Sequence, residues 1–84
     1  MKDSMITFRS VTPAQRGEGL LRRAGIDCTL RRTPRKMEQQ GCGYSLHLPY
    51  GDVNTAIGLL RENRVSFRKI YLLRDNGVLE ELVL

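Results

Sequence analysis

The sequence predicts one α+β domain in which a four-stranded antiparallel sheet carries two helices on one face. Four segments alternate apolar and polar residues with the period of two that is typical of strands, and two segments between them carry the apolar stripe of a helix. The chain also repeats itself, since LLRRAGI at residues 20–26 recurs as LLRENRV at 59–65. Each half therefore runs strand-helix-strand, and right-handed crossovers in both halves place the helices on the same face. This order of elements is the ferredoxin-like β-α-β-β-α-β arrangement.

The first half begins with a predicted strand over residues 5–9, where apolar and polar side chains alternate. We expect the helix after it to start at Thr12, as the N-cap of a capping box with Gln15, and to stop at Gly25. A second strand is predicted over residues 26–32. The predicted apolar stripe of the helix consists of Ala14, Gly17, Leu20, Leu21 and Ala24.

The second half opens with a predicted strand over residues 44–48. Asp52 is the expected N-cap of the second helix, and a fourth strand is predicted over residues 66–74. A strong turn signal then leads to a possible fifth strand, so that residues 75–84 form a C-terminal hairpin extension of a single domain over residues 1–84. The predicted apolar face of the second helix is Val53, Ala56, Ile57 and Leu60, and the core side of the fourth strand is Ile70 and Leu72.

Composition describes a small, basic globular protein of 84 residues with a net charge of +5, of which 40% are hydrophobic and 27% charged. This balance excludes wholesale disorder, and no apolar run is long enough to cross a bilayer or to act as a secretory signal. We therefore expect a cytoplasmic protein without membrane attachment. Two cysteines and one histidine cannot supply the paired ligands of a structural zinc site, so no metal and no cofactor are expected.

The connection between the second and third strands, residues 33–43, is the candidate functional segment. It is longer than a hairpin requires, and long loops are often functional. Cys42 lies there between Gly41 and Gly43, which allow positive φ and let a partner approach the sulfur closely. Cys28, in contrast, falls on the apolar side of a strand and is predicted to be a small core residue. Cys42 is therefore the candidate reactive thiol, and the alternative is an exposed residue of a flexible turn.

Positive charge is concentrated between residues 22 and 36, where Asp27 is the one acid. A charge run is usually a solvated face, but this one is expected to attract anions. The basic residues of this segment are Arg22, Arg23, Arg31, Arg32, Arg35 and Lys36.

Four short motifs follow one another along the chain: ITFRS at residues 6–10, LLRRAGI after the first helix, TPR at 33–35 and GCGYSL at 41–46. Together they resemble a bacterial family of short selenium or sulfur carrier-like proteins, over about residues 5–73. The resemblance maps the family's Thr/Val-Pro-Arg step and its Cys-Gly pair onto Thr33-Pro34-Arg35 and Cys42-Gly43. The chain departs from the family pattern at Arg64, where a glycine is common, and in its tail.

The resemblance implies a thiol-based carrier or accessory protein in sulfur or selenium handling rather than an enzyme, with donor and acceptor proteins as partners. Such a role needs a thiolate, because the neutral thiol does not attack a donor persulfide, and nearby cations lower the pKa of a thiol. The carried species would be an anionic persulfide or perselenide on Cys42. The candidate binding residues around it are Arg32, Pro34, Arg35, Lys36, Gly41 and Gly43.

His47 could act as a base for Cys42, but five residues of strand place the two side chains about 16 Å apart, and an exposed sheet histidine is the favoured interpretation. The open sheet face also supports a second hypothesis, a binding module for RNA or a protein, although the aromatic segment typical of RNA-binding sheets is absent. A homodimer through this face or through residues 78–84 is expected as well. The predicted open face comprises Thr7, Arg9, Thr29, Arg31, Ser45, His47, Lys69 and Tyr71.

Overall fold

The computed structural model describes residues 3–32, 43–74 and 77–82. Within them the elements are β1 (Asp3–Phe8), α1 (Val11–Arg23), β2 (Thr29–Arg32), β3 (Tyr44–Pro49), a 3-10 turn (Tyr50–Asp52), α2 (Val53–Glu62), β4 (Ile70–Leu73) and β5 (Leu79–Leu82). The strands form one antiparallel sheet in the order β2-β3-β1-β4-β5. Neither described helix is long and apolar enough to cross a membrane.

The sheet has five strands in place of the four that the repeat predicts. The fifth strand belongs to the predicted C-terminal hairpin. In this hairpin β5 pairs with β4, with Leu79 opposite Leu73 at the turn and Leu82 opposite Ile70 at the far end. The hairpin turn contains Gly77 at a φ of +82°, a conformation that glycine adopts without steric cost. The extension covers the edge of β4, and the outer edge of the sheet on this side is β5.

The core lies between one face of the sheet and the two helices. Ile6 and Phe8 of β1 are both fully buried there, and the register partners of Ile6, which are Leu46 and Ile70, face the same side. The four residues predicted as the apolar face of α2 are all buried, which confirms that prediction. In α1, Ala14, Gly17 and Leu21 are buried as predicted, whereas Ala24 is exposed because the helix has already ended at its position.

Helix α1 starts two residues earlier than the sequence predicts. Its N-cap is Ser10, in an extended conformation with φ of −145° and ψ of 169°, and not Thr12; the predicted capping box with Gln15 is therefore absent, and Ser10 makes no side-chain capping bond. The helix can start here because Pro13 falls in the first turn, where a backbone N–H would have no partner within the helix.

The repeated segments end both helices with the same pair of hydrogen bonds. Two N–H groups after each helix donate to carbonyl oxygens of its last turn, in the arrangement known as the Schellman motif. The donor and acceptor pairs are Gly25 to Arg22, Ile26 to Leu21, Arg64 to Arg61 and Val65 to Leu60, at 2.9 to 3.1 Å. The motif requires one left-handed residue, which is Gly25 at a φ of +83° in the first half and Arg64 at +56° in the second.

Replacing Arg64 by glycine is expected to stabilise the protein. A side chain at a left-handed φ costs about 1–2 kcal/mol, and the larger entropy of glycine in the unfolded chain offsets part of the gain, so the free energy of unfolding should rise by about 0.5–1 kcal/mol. Thermal unfolding of Arg64→Gly would measure the change. Gly25→Ala is the matched control, because a Cβ there meets no atom within 4 Å and its expected loss of stability comes from the backbone alone. A lower melting temperature for Arg64→Gly would contradict this reasoning.

Candidate functional site

The chain leaves the sheet after Arg32 and returns to it at Tyr44, and these two residues are directly opposed in the register of β2 and β3. Of the predicted site residues, Arg32 is exposed at the end of β2 and Gly43 is buried next to the start of β3. The other predicted site residues lie outside the described residues: Pro34, Arg35, Lys36, Gly41 and Cys42. The predicted pairing of Cys42 with nearby cations therefore stays a prediction.

Cys28 lies in the core, as predicted, with only 2% of its surface exposed. Its thiol lies 3.9 Å from the carbonyl oxygen of Glu18 on α1 and can donate a weak hydrogen bond to it. Burial raises the pKa of the Cys28 thiol above its ordinary value, and the adjacent Arg22 offsets only part of that effect. A buried, neutral thiol is a poor nucleophile and cannot be reached by a donor protein.

His47 lies on the open face of the sheet, as predicted, but it is half-buried rather than fully exposed. Its Nε2 lies 3.1 Å from the hydroxyl of Ser45, and the tautomer of the ring decides which of the two donates. Burial lowers the pKa of His47, and the positive charge of Arg31 lowers it further, while Asp3 acts in the opposite direction. The histidine is therefore a neutral member of the sheet face near pH 7.

The lowered pKa of His47 predicts that stability falls as the solution becomes more acidic. Above the unfolded value of about 6.5 the ring is neutral in both states and has no effect. Below it, the unfolded chain binds the proton more readily than the folded protein does, so the free energy of unfolding decreases until the folded pKa is passed. Urea unfolding between pH 7.5 and 5 would measure this slope. His47 is the only histidine of the chain, so His47→Gln should flatten the curve around pH 6; an unchanged slope would contradict the assignment.

The open face differs from its prediction in two respects. Thr7 and Ser45 are buried instead of exposed, because both are short side chains on inner strands, β1 and β3, each of which has a neighbouring strand on both sides. The face is also less basic than predicted, since Lys69 forms an ion pair of 3.2 Å with Glu81 of the C-terminal strand. RNA binding and dimerisation through this face stay predictions.

Two arginines line one cavity at one end of the sheet: Arg9, which the sequence predicts on the open face, and Arg68, for which the sequence predicts no site. Arg9 follows β1 and Arg68 precedes β4. The signal that could have located them is the pairing of β1 with β4, which brings the end of one strand to the start of the other. Within the described parts of the chain, no group of three or more His, Cys, Asp or Glu side chains could hold a metal ion.

Residues 3–72 match the model of a family described as putative Se/S carrier protein-like. Comparisons with curated proteins and with solved structures give no match. The matched range contains both helices, strands β1 to β3 and most of β4, together with the segment between β2 and β3; it excludes β5. Because the match extends over most of the chain, the protein belongs to the putative Se/S carrier protein-like family.

Proposed function

We propose that the protein carries sulfur or selenium as an adduct on the thiol of Cys42 and hands it to an acceptor protein without catalysing a further reaction. The observation that supports this assignment is the burial of Cys28. The chain has two cysteines, and one of them is enclosed in the core with a raised pKa. The family match includes the position of Cys42, so the remaining thiol lies in the part of the chain that the family shares.

The loading step for sulfur conserves atoms and electrons. The Cys42 thiolate attacks the terminal sulfur of a persulfide on the donor protein, and a new S–S bond forms as the S–S bond of the donor breaks. The donor leaves as a thiolate, and Cys42 becomes the persulfide. Handing the sulfur to an acceptor thiolate is the same exchange in the opposite sense, so the carrier needs no oxidant and no second cysteine.

Local charge supports a thiolate at this position. Arg32 is exposed at the last position of β2 and is the register partner of Tyr44. Cys42 is two residues from Tyr44 in the chain, so chain length alone keeps the two Cα atoms within about 7 Å. A guanidinium group in this neighbourhood favours the ionised thiol and the anionic persulfide. Arg35 and Lys36 are proposed as further cations of the same site.

We also propose that the first four strands form a ferredoxin-like core. The order β2-β3-β1-β4, with α1 between β1 and β2 and α2 between β3 and β4, is the order that two strand-helix-strand halves produce. In this description β5 is an addition to the edge of the core. The proposed partners are the donor and acceptor proteins of sulfur or selenium transfer.

Loading with a persulfide donor tests the carrier proposal. The protein is incubated with a cysteine desulfurase and free cysteine, and intact mass spectrometry without reductant follows the gain of sulfur. We expect the native protein and the Cys28→Ala variant to gain the mass of a sulfur atom, and Cys42→Ser to gain none.

A known persulfide acceptor in the same reaction serves as the positive control. The circular-dichroism spectrum of each variant confirms that the variant is folded. An unmodified native protein in a reaction that loads the known acceptor would refute sulfur carriage from this class of donor. Sulfur found on Cys28 would refute the assignment of the site.

A further inference from the structure

A basic cavity of about 400 Å³ lies between the corner that joins β1 to α1 and the segment that leads from α2 into β4. It lies at the margin of the core, against which its lining residue Phe67 packs. Its described lining residues are Arg9, Ser10, Pro13, Ser66, Phe67 and Arg68.

The two walls of this cavity are held together by backbone hydrogen bonds. The N–H of Arg68 donates to the carbonyl oxygen of Thr7 at 2.7 Å, and the N–H of Thr7 donates to the carbonyl oxygen of Lys69 at 2.8 Å. The hydroxyl of Thr7, which is buried, also accepts a hydrogen bond of 3.0 Å from the N–H of Lys69. These bonds fix the backbone of Arg68 relative to Thr7 near the end of β1. Thr7 precedes Arg9 by two residues, so the two arginines are attached to backbone segments that are bonded to each other.

The lining has the chemistry of an oxyanion site. Arg9 and Arg68 supply two guanidinium groups, Ser10 and Ser66 supply two hydroxyls, and no acid is among the described lining residues. Arginine binds phosphate oxygens through paired N–H groups, which gives both strength and geometric selectivity. The pairing of β1 with β4 brings these four side chains from two distant parts of the chain to one cavity.

Two neighbouring features strengthen the positive field of the cavity. The guanidinium of Arg61 lies 6.0 Å from the ring centre of Phe67, which places a third cation behind one wall. Ser10 is the N-cap of α1, its hydroxyl makes no capping bond, and the first turn of this helix contains no acid. The unpaired N–H groups of that turn add a partial positive charge at the same end.

The cavity lies at the end of the sheet where the chain returns from the Cys42 segment. Phe8 is the register partner of Tyr44, Arg9 follows Phe8 directly, and Cys42 precedes Tyr44 by two residues. A ligand bound in the cavity would therefore lie beside the base of the segment that carries the proposed reactive thiol.

We propose that this cavity binds the phosphate group, or a similar tetrahedral oxyanion, of a small ligand. The two arginines hold the oxygens, the two serines complete the hydrogen bonds, and Phe67 and Pro13 form the apolar walls against which the rest of the ligand packs. The site does not use Cys42, so the test of phosphate binding is independent of the carrier function.

Titration with inorganic phosphate tests the site in the full chain. Amide spectra of the ¹⁵N-labelled Cys42→Ser protein are recorded as sodium phosphate replaces sodium chloride at constant ionic strength. We expect saturable shifts at Arg9, Ser10, Phe67 and Arg68. Arg9→Gln and Arg68→Gln should each weaken binding by about tenfold, because each removes a charge-assisted pair of hydrogen bonds.

Arg16→Gln is the matched control, since it removes an exposed arginine of α1 that does not line this cavity and should leave binding unchanged. Ser66→Asp, which puts a carboxylate into the cavity, should abolish saturable binding. The proposal is overturned if phosphate causes no saturable shifts, or if Arg16→Gln weakens binding as much as Arg9→Gln does. The amide spectrum of each variant shows that it is folded before the titration begins.

Discussion

In a Cys42→Ser variant, the thiol of Cys28 is expected to react with iodoacetamide at least about a hundredfold more slowly in the native protein than in the denatured chain. Two properties protect it: the side chain is 2% exposed, and its pKa is raised by burial, which reduces the fraction of reactive thiolate. The reagent can therefore reach the sulfur only when this region opens. A hundredfold protection corresponds to an opening free energy of about 2.8 kcal/mol, well within the range of local and global unfolding.

The measurement is a time course of alkylation at pH 8, followed by mass, in buffer and in guanidinium chloride. The matched variant is Cys28→Ala, in which Cys42 is the one thiol. Under the carrier proposal, Cys42 of this variant reacts rapidly with iodoacetamide in the native state. Its rate as a function of pH reports the pKa of Cys42, which the proposal places below the ordinary cysteine value of about 8.5. A Cys28 thiol that reacts as fast in the native protein as in the denatured chain would mean that the core around β2 is open to solvent.

Local rules were sufficient to predict most of the fold. Period-two and helical stripes correctly identified the buried sides of β4 and α2, because one-sided burial leaves a direct trace in residue order. The repeat of LLRRAGI as LLRENRV correctly indicated a common structure, which proves to be the Schellman motif at the end of each helix. The start of α1 was predicted wrongly, since Thr12 and Gln15 match a capping box whereas the chain already turns at Ser10.

Properties that depend on pairing between distant strands could not be predicted from residue order. The sequence predicts that Thr7 is an exposed polar residue. It is buried where β1 meets the segment before β4, and its hydroxyl accepts a hydrogen bond from the backbone N–H of Lys69. Arg9 likewise reads as part of the open sheet face, and only the register of β1 with β4 shows that it shares a cavity with Arg68. The core cysteine, in contrast, was predictable because its burial follows from its position in the apolar pattern.

Gly17→Val is expected to lower the free energy of unfolding by about 3 kcal/mol. A Cβ at Gly17 would lie 3.2 Å from methyl carbons of Leu46 and Leu60 and 3.3 Å from the ring of Phe8. These three side chains come from β3, α2 and β1, and all are fully buried, so none can move aside into solvent. Helix α1 can approach both the sheet and α2 closely because this position has no side chain.

The experiment compares Gly17→Val with Gly58→Val, because Gly58 is an exposed glycine in the middle of α2 where a Cβ meets nothing within 4 Å. Valine is a better helix former than glycine, so the Gly58 variant should be slightly more stable than the native protein. Gly17→Val should melt about 12–24 °C lower, at 4–8 °C per kcal/mol for a domain of this size. The melting temperature of Gly17→Ala should fall between those of the two valine variants. Alanine has a higher helix propensity than glycine, but its Cβ requires the neighbouring side chains to shift by a few tenths of an ångström, which costs stability. Equal melting temperatures for the two valine variants would show that α1 does not pack against the sheet as closely as its contacts at Gly17 require.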